Sequence, residues 1–299
     1  MGEDALTRRA LATAAAAATG IQVGSAMVAT RFVVDQTGPA SLALLRYAIG
    51  FLCLLPVVLA TPRPRFSARD VAPIALLGIT QFGILIALLN VGLRFIPSAR
   101  AALIFATFPL LTMLLAAALG HERLSAAKTA GVALTLVGVG VALGEKALQR
   151  GGGESQWIGE AAVLASALCG AVCSVLYRPY VRAYPTVSVS AFAMLASVAF
   201  LSLLAAGEGF FARWPHLTAA GWGAVMFIGV GSGVGYVLWL WALGHAPATD
   251  VTVFLALSPF TAAALGALLL GERVNAAAAG GLLCVGAGLW LAHRSGDSR

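Results

Sequence analysis

Polar residues, prolines and closely spaced glycines interrupt the long apolar stretches of this chain at a small number of positions. An amide or hydroxyl inside such a stretch hydrogen-bonds either a neighbouring helix or a small solute, and aromatic rings beside it supply a stacking surface. For each polar residue of this kind, a hydrogen bond between two helices is as good an interpretation as solute binding. We predict that a solute-binding cavity is lined by Gln22, Ser25, Gln81, Gly83, Asn90, Phe105, Phe108, Cys169, Tyr177, Trp239, Leu255 and Ser258.

Two prolines stand in the middle of apolar segments, Pro109 and Pro259. A proline inside a helix removes one backbone hydrogen bond and frees the carbonyl four residues earlier, which predicts loosened carbonyls at Phe105 and Leu255. Backbone of this kind is tolerated at membrane depth only where it is buried in protein or lines a wet cavity. The faces around the two prolines are therefore our first candidates for the cavity wall.

Glycine recurs at every second position from Gly229 to Gly235. Each glycine costs a helix interior about 1 kcal/mol relative to alanine, so this stretch is a weak helix. We predict that it bends at Gly231 and Gly233 during gating, with tight helix packing as the alternative interpretation.

Chemistry other than binding finds little support. His121-Glu122 has no second histidine at metal-ligand spacing, and the four cysteines lie in apolar segments without a histidine or carboxylate beside them. We expect no enzyme activity, no metal and no cofactor. The net charge of +7 comes from basic residues scattered at segment ends, which is typical of lipid headgroup contact and not of a nucleic-acid site. Arg46 is the deepest of them, and we expect it to snorkel to the headgroups in preference to binding a carboxylate.

The elements that must position these residues are membrane-spanning helices. The chain is 60% hydrophobic and 10% charged, against about 25% charged in a typical soluble domain. Segments of roughly the length that crosses the hydrocarbon core lie at 11–34, 40–60, 71–93, 99–119, 126–144, 157–177, 187–206, 219–243, 248–270 and 276–292. We predict an all-α polytopic membrane protein with ten transmembrane helices.

The second half of the chain repeats the first. Shifted by 150 residues, segment 97–144 matches segment 247–294 at 13 of 48 positions without a gap, including both prolines and the Glu-Arg dipeptides at 122–123 and 272–273. Five crossings in each half place the two copies in opposite orientations. We predict a first repeat at 1–146, an external linker at 147–156 and a second repeat at 157–299. A modest excess of basic residues on the side of the termini predicts that both termini are cytoplasmic.

Three kinds of landmark are similar to the repeat of the EamA family in the drug/metabolite transporter superfamily. They are the proline stretches Ala102–Thr112 and Leu257–Pro259, the Gly/His-Glu-Arg stretches Leu119–Ser125 and Leu270–Arg273, and the glycine stretches Gly131–Gly140 and Gly281–Gly288. The resemblance implies inverted five-helix repeats in a bacterial inner (plasma) membrane and export of small metabolites or amphipathic drugs.

Within that family the chain most resembles aromatic amino-acid exporters of the YddG type, which place aromatic side chains just before the first proline. Phe105 and Phe108 match this feature, whereas Ala106 and the regions of Gly83 and Cys169 are small, which implies a roomier pocket. We therefore expect a monomeric exporter of neutral and aromatic amino acids, or related amphipathic metabolites, that works by alternating access in the lipid bilayer. The alternatives are a drug or toxic-cation exporter, a nucleotide-sugar or phosphate-ester carrier, a channel and a membrane enzyme.

Overall fold

The computed structural model describes the backbone of residues 2–60, 66–120, 154–213, 215–272 and 276–294, with parts of 126–141. All regular elements in these ranges are helical. The structure thus confirms a helical protein with many apolar spans. The predicted segment 126–144 is described only in part, and the Glu-Arg dipeptide at 122–123, Arg273 and most of the linker fall outside the described residues. Helical stretches long and apolar enough to cross a membrane lie at Leu11–Gln36, Pro39–Ala60, Ala68–Phe95, Ser98–Ala118, Gln156–Ala183, Thr186–Gly207, Ala219–His245 and Asp250–Leu270, and a shorter apolar helix lies at Ala279–Gly288.

Several of these stretches contain more than one helix. The α-helices are α1 (Gly2–Val33), α2 (Pro39–Ala60), α3 (Ala68–Gly78), α4 (Leu85–Phe95), α5 (Ser98–Phe105), α6 (Phe108–Ala118), α7 (Glu154–Leu176), α8 (Arg178–Ala183), α9 (Thr186–Gly207), α10 (Ala219–His245), α11 (Ala248–Thr252), α12 (Ser258–Leu270) and α13 (Ala276–Arg294). A π-helix at Ile79–Ile84 joins α3 to α4, and 3₁₀ turns lie at Val34–Gln36 and Val253–Leu257.

Helices of the first half pack mainly on helices of the second half. The helix α1 packs on α10 and α12, α4 packs on α7, and α9 packs on α2 and α3. Small residues allow this close contact. The resulting van der Waals attraction stabilises helix packing in lipid, where no hydrophobic effect acts between helices. A Cβ atom added at Gly24 of α1 would lie 2.7 Å from the Cβ of Thr261 in α12, so a larger residue there would separate the two helices.

The two prolines begin new helices. Pro109 lies in the first turn of α6 and Pro259 in the first turn of α12, where a proline needs no backbone N–H. The Leu255 carbonyl accepts a hydrogen bond from the Ser258 amide, so the prediction of a loosened carbonyl at Leu255 is wrong. The cause is the 3₁₀ turn, whose shorter hydrogen bonds use the carbonyl that the proline leaves free.

Polar side chains join helix ends from opposite halves. The Glu208 carboxylate, at the end of α9, accepts hydrogen bonds from the amides of Ala40 (2.9 Å) and Ser41 (2.8 Å) at the start of α2. The Glu272 carboxylate, after α12, accepts from the Ser98 amide at 3.0 Å at the start of α5. A carboxylate at a helix N-terminus accepts hydrogen bonds from free N–H groups and interacts favourably with the positive end of the helix dipole.

Two further contacts join the ends of spans. The Gln36 side-chain oxygen accepts a hydrogen bond from the Thr218 amide at 3.0 Å, which joins the end of the first span to the start of α10. Elsewhere, the Tyr184 hydroxyl donates to Asp70 at 2.5 Å and accepts from the Ser67 amide at 3.1 Å, which joins the end of α8 to the start of α3. The bond to Asp70 raises the pKa of the Tyr184 phenol, because it holds the hydroxyl proton.

Candidate functional site

A cavity of about 80 Å³ lies between the two halves of the molecule, with walls from α1, α2, the π-helix, α4, α5, α6, α10 and the second 3₁₀ turn. This volume holds several water molecules, since roughly 10–15 Å³ measured in this way is enough for one. Because both halves contribute to the wall, a shift of one half against the other would change the shape of the cavity.

Aromatic rings form much of the cavity wall. The ring of Phe82 lies 4.7 Å from that of Tyr47 and 4.1 Å from that of Tyr236, measured between centroids. The ring of Phe108 lies 6.2 Å from that of Trp239, edge to face, and 5.3 Å from that of Phe105. These rings offer a solute both apolar contact and π-faces that attract cations.

Two glutamines on this wall carry buried polar atoms that have no hydrogen-bond partner among the described residues. They are Gln22, through Nε2, and Gln81, through Oε1. A buried donor or acceptor without a partner costs about 1–3 kcal/mol, so such groups normally meet a water or a ligand. Because a glutamine side-chain amide can rotate by half a turn, either glutamine can present its N–H donor or its oxygen acceptor to a bound solute.

Arg46 also lies on the cavity wall, which overturns the expectation that it snorkels to the headgroups. Its side chain is buried, with 7% of the residue exposed, and its Nε donates a hydrogen bond to the Ser232 hydroxyl at 2.5 Å. Two turns of α2 separate it from the start of the helix, and α10 closes over it. Arg46 does not reach the headgroups because α10 packs over it, and the sequence of α2 alone does not show that neighbour.

The structure brings half of the predicted cavity residues together. Those that lie on the wall are Gln22, Gln81, Phe105, Phe108, Trp239 and Leu255. They come from elements far apart in the sequence.

The remaining predicted residues lie outside this cavity wall. Asn90 donates a hydrogen bond to the Pro39 carbonyl at 2.8 Å, which makes it a contact between helices. Ser25 donates to the Ile21 carbonyl at 3.0 Å and borders a separate groove beside α10 and α12. Ser258 is fully buried, and its backbone lies against Gly24 of α1.

Gly83, Cys169 and Tyr177 also lie away from the wall. A Cβ added at Gly83 would lie 2.8 Å from the ring of Phe200, so this glycine faces α9. Cys169 is half-buried in the packed core. The buried Tyr177 ring packs edge to face on Tyr236, with centroids 6.3 Å apart, and so supports the wall from behind.

The glycines of α10 are packing positions in this structure. A Cβ at Gly233 would lie 2.8 Å from the carbonyl oxygen of Gly50, and one at Gly231 would lie 3.1 Å from Nε2 of Gln22. The helix runs without a break from Ala219 to His245. Bending at these glycines stays a prediction.

Several wall residues were not predicted from the sequence: Arg46, Tyr47, Phe82, Ser232 and Tyr236. One available signal was the repeat itself, because Phe82 and Ser232 occupy equivalent positions 150 residues apart. The π-helix at Ile79–Ile84, which contains both Gln81 and Phe82, left no such signal. Short π-helical turns often occur at functional sites, since the extra residue in the turn redirects the side chains.

The arrangement suits binding of a small amphipathic solute. Its wall combines one cation, amide and hydroxyl groups, and aromatic rings. Within the described part of the chain, no three histidine, cysteine or acidic side chains come close enough to hold a metal ion.

Comparison with known proteins identifies the family. The EamA-like transporter family matches residues 10–144 and again residues 157–294. The chain is 32% identical over 276 residues to a probable terminal-alkyne amino-acid exporter of Streptantibioticus cattleyicolor, covering 90% of this chain and 89% of that protein. It is 34% identical over 190 residues to the aromatic amino acid exporter YddG of Ancylobacter novellus, covering 64% and 63% of the two chains.

A solved crystal structure has the same fold. It superposes with a TM-score of 0.74 at 24% sequence identity and covers 96% of this chain and 97% of its own. The family matches confirm the resemblance found in the sequence, and both the family and the named relatives are transporters. The chain belongs to the EamA-like transporter family.

Proposed function

We propose that this protein exports neutral and aromatic amino acids, or closely related amphipathic metabolites, by alternating access. The single observation that carries the proposal is the cavity between the two halves, which combines the Arg46 cation, free amide groups and an aromatic wall. An amino acid presents a carboxylate, an ammonium group and a side chain, and this wall has a complement for each. The names of two relatives, both amino-acid exporters, support the same substrate class.

We propose further that ten helices form two inverted five-helix repeats. The contacts between helix ends support this arrangement. Glu208 places the end of α9 beside the start of α2, so these two equivalent helices run in opposite directions. Tyr184 places the end of α8 beside the start of α3. On this basis the first span and the Gln156–Ala183 span also run in opposite directions. An odd number of crossings must then lie between Ala118 and Gln156, which matches one helix at 126–144.

The packing pairs support the same two-fold relation. The contact of α1 with α10 has its equivalent in the contact of α7 with α4, and that of α2 with α10 has its equivalent in that of α9 with α3. In transporters built from inverted repeats, rocking of one group of helices against the other exposes a midplane site to each side in turn. The cavity described above lies between such groups.

Cysteine accessibility tests the arrangement. In a background without the four native cysteines, Thr37→Cys places a thiol after the first span and Ala183→Cys places one at the end of the equivalent span. With cytoplasmic termini in a bacterial inner membrane, we expect an impermeant maleimide to label the Thr37→Cys variant in intact spheroplasts. The Ala183→Cys variant should be labelled only after permeabilisation. Labelling of both variants from the same side would contradict the inverted repeats.

The alternatives have less support. Arg46 places a buried positive charge on the wall, and among the described lining residues no carboxylate offsets it, which opposes the binding of a toxic cation. A phosphate ester or nucleotide sugar carries more negative charge than this single cation balances. We therefore favour a monomeric amino-acid exporter over both.

Counterflow in liposomes tests the transport activity. Purified protein is reconstituted with unlabelled L-phenylalanine inside, and labelled L-phenylalanine is added outside. We expect transient, saturable accumulation of label that empty liposomes do not show. Flux that rises without saturation would identify a channel, and chemical conversion of the label would identify an enzyme. Either result would contradict the proposal.

A further inference from the structure

We propose that Arg46 binds the carboxylate of the transported solute, so that the protein selects solutes with a free carboxylate. The inference rests on the proposed function and narrows its substrate class. It concerns one residue that the sequence suggested would point to the lipid headgroups.

The first reason is the burial of Arg46 without a carboxylate partner. The residue is 7% exposed, and no described acidic side chain lies within 4 Å of its guanidinium group. A charged side chain at membrane depth is costly and normally faces a partner or a wet cavity. Here it faces the cavity, where a bound anion would supply the missing partner.

The second reason is the geometry of the guanidinium group. Nε donates to Ser232, whose hydroxyl also lies 2.5 Å from the Ile228 carbonyl in the same helix. Ser232 thus occupies one edge of the group and fixes its orientation. The two terminal nitrogens make no hydrogen bond to a described residue, and together they form an edge that matches the two oxygens of a carboxylate.

The third reason is the absence of a negative charge among the described side chains that line the cavity with Arg46. The polar side chains that share the wall with Arg46 are neutral, among them Gln22 and Gln81, and the guanidinium lies over the ring of Tyr47, 5.5 Å from its centroid. The described lining residues therefore supply no anion for the cation. One cation balances one carboxylate. The unpartnered oxygen of Gln81 and the π-face of Tyr236 suit the ammonium group of the same solute.

Competition binding on the purified full-length protein tests this assignment. Labelled L-phenylalanine is displaced by 3-phenylpropionate, which keeps the carboxylate, and by phenylalanine methyl ester, phenylalaninamide and 2-phenylethylamine, which lack it. We expect the three compounds without a carboxylate to need at least about tenfold higher concentrations, because each loses a charge-assisted hydrogen bond. Equal competition by acid and ester, or no binding of labelled phenylalanine, would overturn the inference.

Two variants separate a binding role from a structural one. In Arg46→Gln we expect the preference for acid over ester to disappear, and in Arg46→Lys to persist in weakened form. The control Arg94→Gln removes an arginine at the protein surface, 43% exposed, and should bind like the unaltered protein. If Arg46→Gln fails to fold, the ligand series on the unaltered protein still decides the question. A full acid preference in folded Arg46→Gln would overturn the inference.

Failure of the inference and failure of the proposed function give different results. Counterflow of acid and ester at equal rates would refute the role of Arg46 and leave the transporter intact. Selective binding of the acid without any counterflow would support the carboxylate site and contradict the export function.

Discussion

The proline breaks in the two halves have the same backbone plan and different surroundings. At the first break, Phe108 begins α6, lines the cavity and packs on Trp239. At the second, the equivalent residue Ser258 begins α12 and is fully buried against α1. The α2 helix carries Arg46 on the wall, whereas its equivalent α9 contains no basic residue. The scaffold is duplicated, but the chemistry of the cavity is not.

This difference has a physical reason. Helix breaks and small-residue contacts are set by backbone geometry, which is the same for both copies. A solute such as an amino acid has one carboxylate and one side chain, so its site needs one cation and one aromatic surface. We infer that the first half supplies the cation while the rings come from both halves. Variants in the two halves test this difference.

The largest difference in stability is expected at a pair of equivalent glycines. Gly233 lies against the backbone of Gly50, which cannot move away, whereas Gly83 lies against the ring of Phe200, which can rotate. We expect Gly233→Ala to lower the stability of the folded protein by about 1–3 kcal/mol and Gly83→Ala to have a smaller effect. The apparent melting temperature in detergent measures both. A greater loss for Gly83→Ala would contradict this account of the packing.

Next in size is the effect of Phe108 on substrate preference. Phe108→Leu keeps most of the buried volume but removes the ring that faces Trp239, so we expect the preference for phenylalanine over leucine to fall about fivefold, roughly 1 kcal/mol. Ser258→Ala is the matched control, because its hydroxyl has no hydrogen-bond partner among the described residues. Its preference should change less than about twofold. Competition in the counterflow assay measures both, and a shift in Ser258→Ala as large as that in Phe108→Leu would refute the asymmetry.

The smallest effect is expected at a helix end. Glu272→Ala removes the carboxylate that accepts hydrogen bonds from the Ser98 amide and hydroxyl, at 3.0 and 2.5 Å, and should cost about 1 kcal/mol. The control Asp35→Asn affects only exposed ion pairs, with Arg31 at 3.4 Å and Arg94 at 3.9 Å, which contribute little to stability. Thermal unfolding should therefore show a drop of a few degrees for Glu272→Ala and almost none for Asp35→Asn. Equal melting temperatures for the two variants would show that this cap is not needed.

The spans and the duplication were readable from the sequence because both depend on patterns along the chain. Apolar runs of membrane length predict helices whatever packs beside them, and Pro109 and Pro259 marked both breaks correctly. The wall does include Phe105 and Phe108, the rings beside the first break, and Trp239, a ring in the interior of α10.

Residues whose role depends on a second helix were harder to predict. Arg46 looked like a headgroup contact because Ser232, its partner, lies 186 residues away. Asn90 looked like a site residue because the Pro39 carbonyl that it binds is invisible in a one-dimensional pattern. The π-helix that contains Gln81 and Phe82 left no sequence signal at all. Polarity within a span indicates that a partner exists, but only the packing decides whether the partner is a helix or a solute.

The most direct measurement is the initial rate of labelled L-phenylalanine counterflow for three proteins reconstituted side by side. They are the unaltered chain, Arg46→Gln and, as a control at a half-buried position of the equivalent helix α9, Ala196→Ser. We predict saturable counterflow by the unaltered chain, a rate at least about tenfold lower for Arg46→Gln, and a rate within about twofold of the unaltered chain for Ala196→Ser. Equal rates for Arg46→Gln and the unaltered chain, or equal loss in the two variants, would contradict a cavity whose binding charge comes from one half alone.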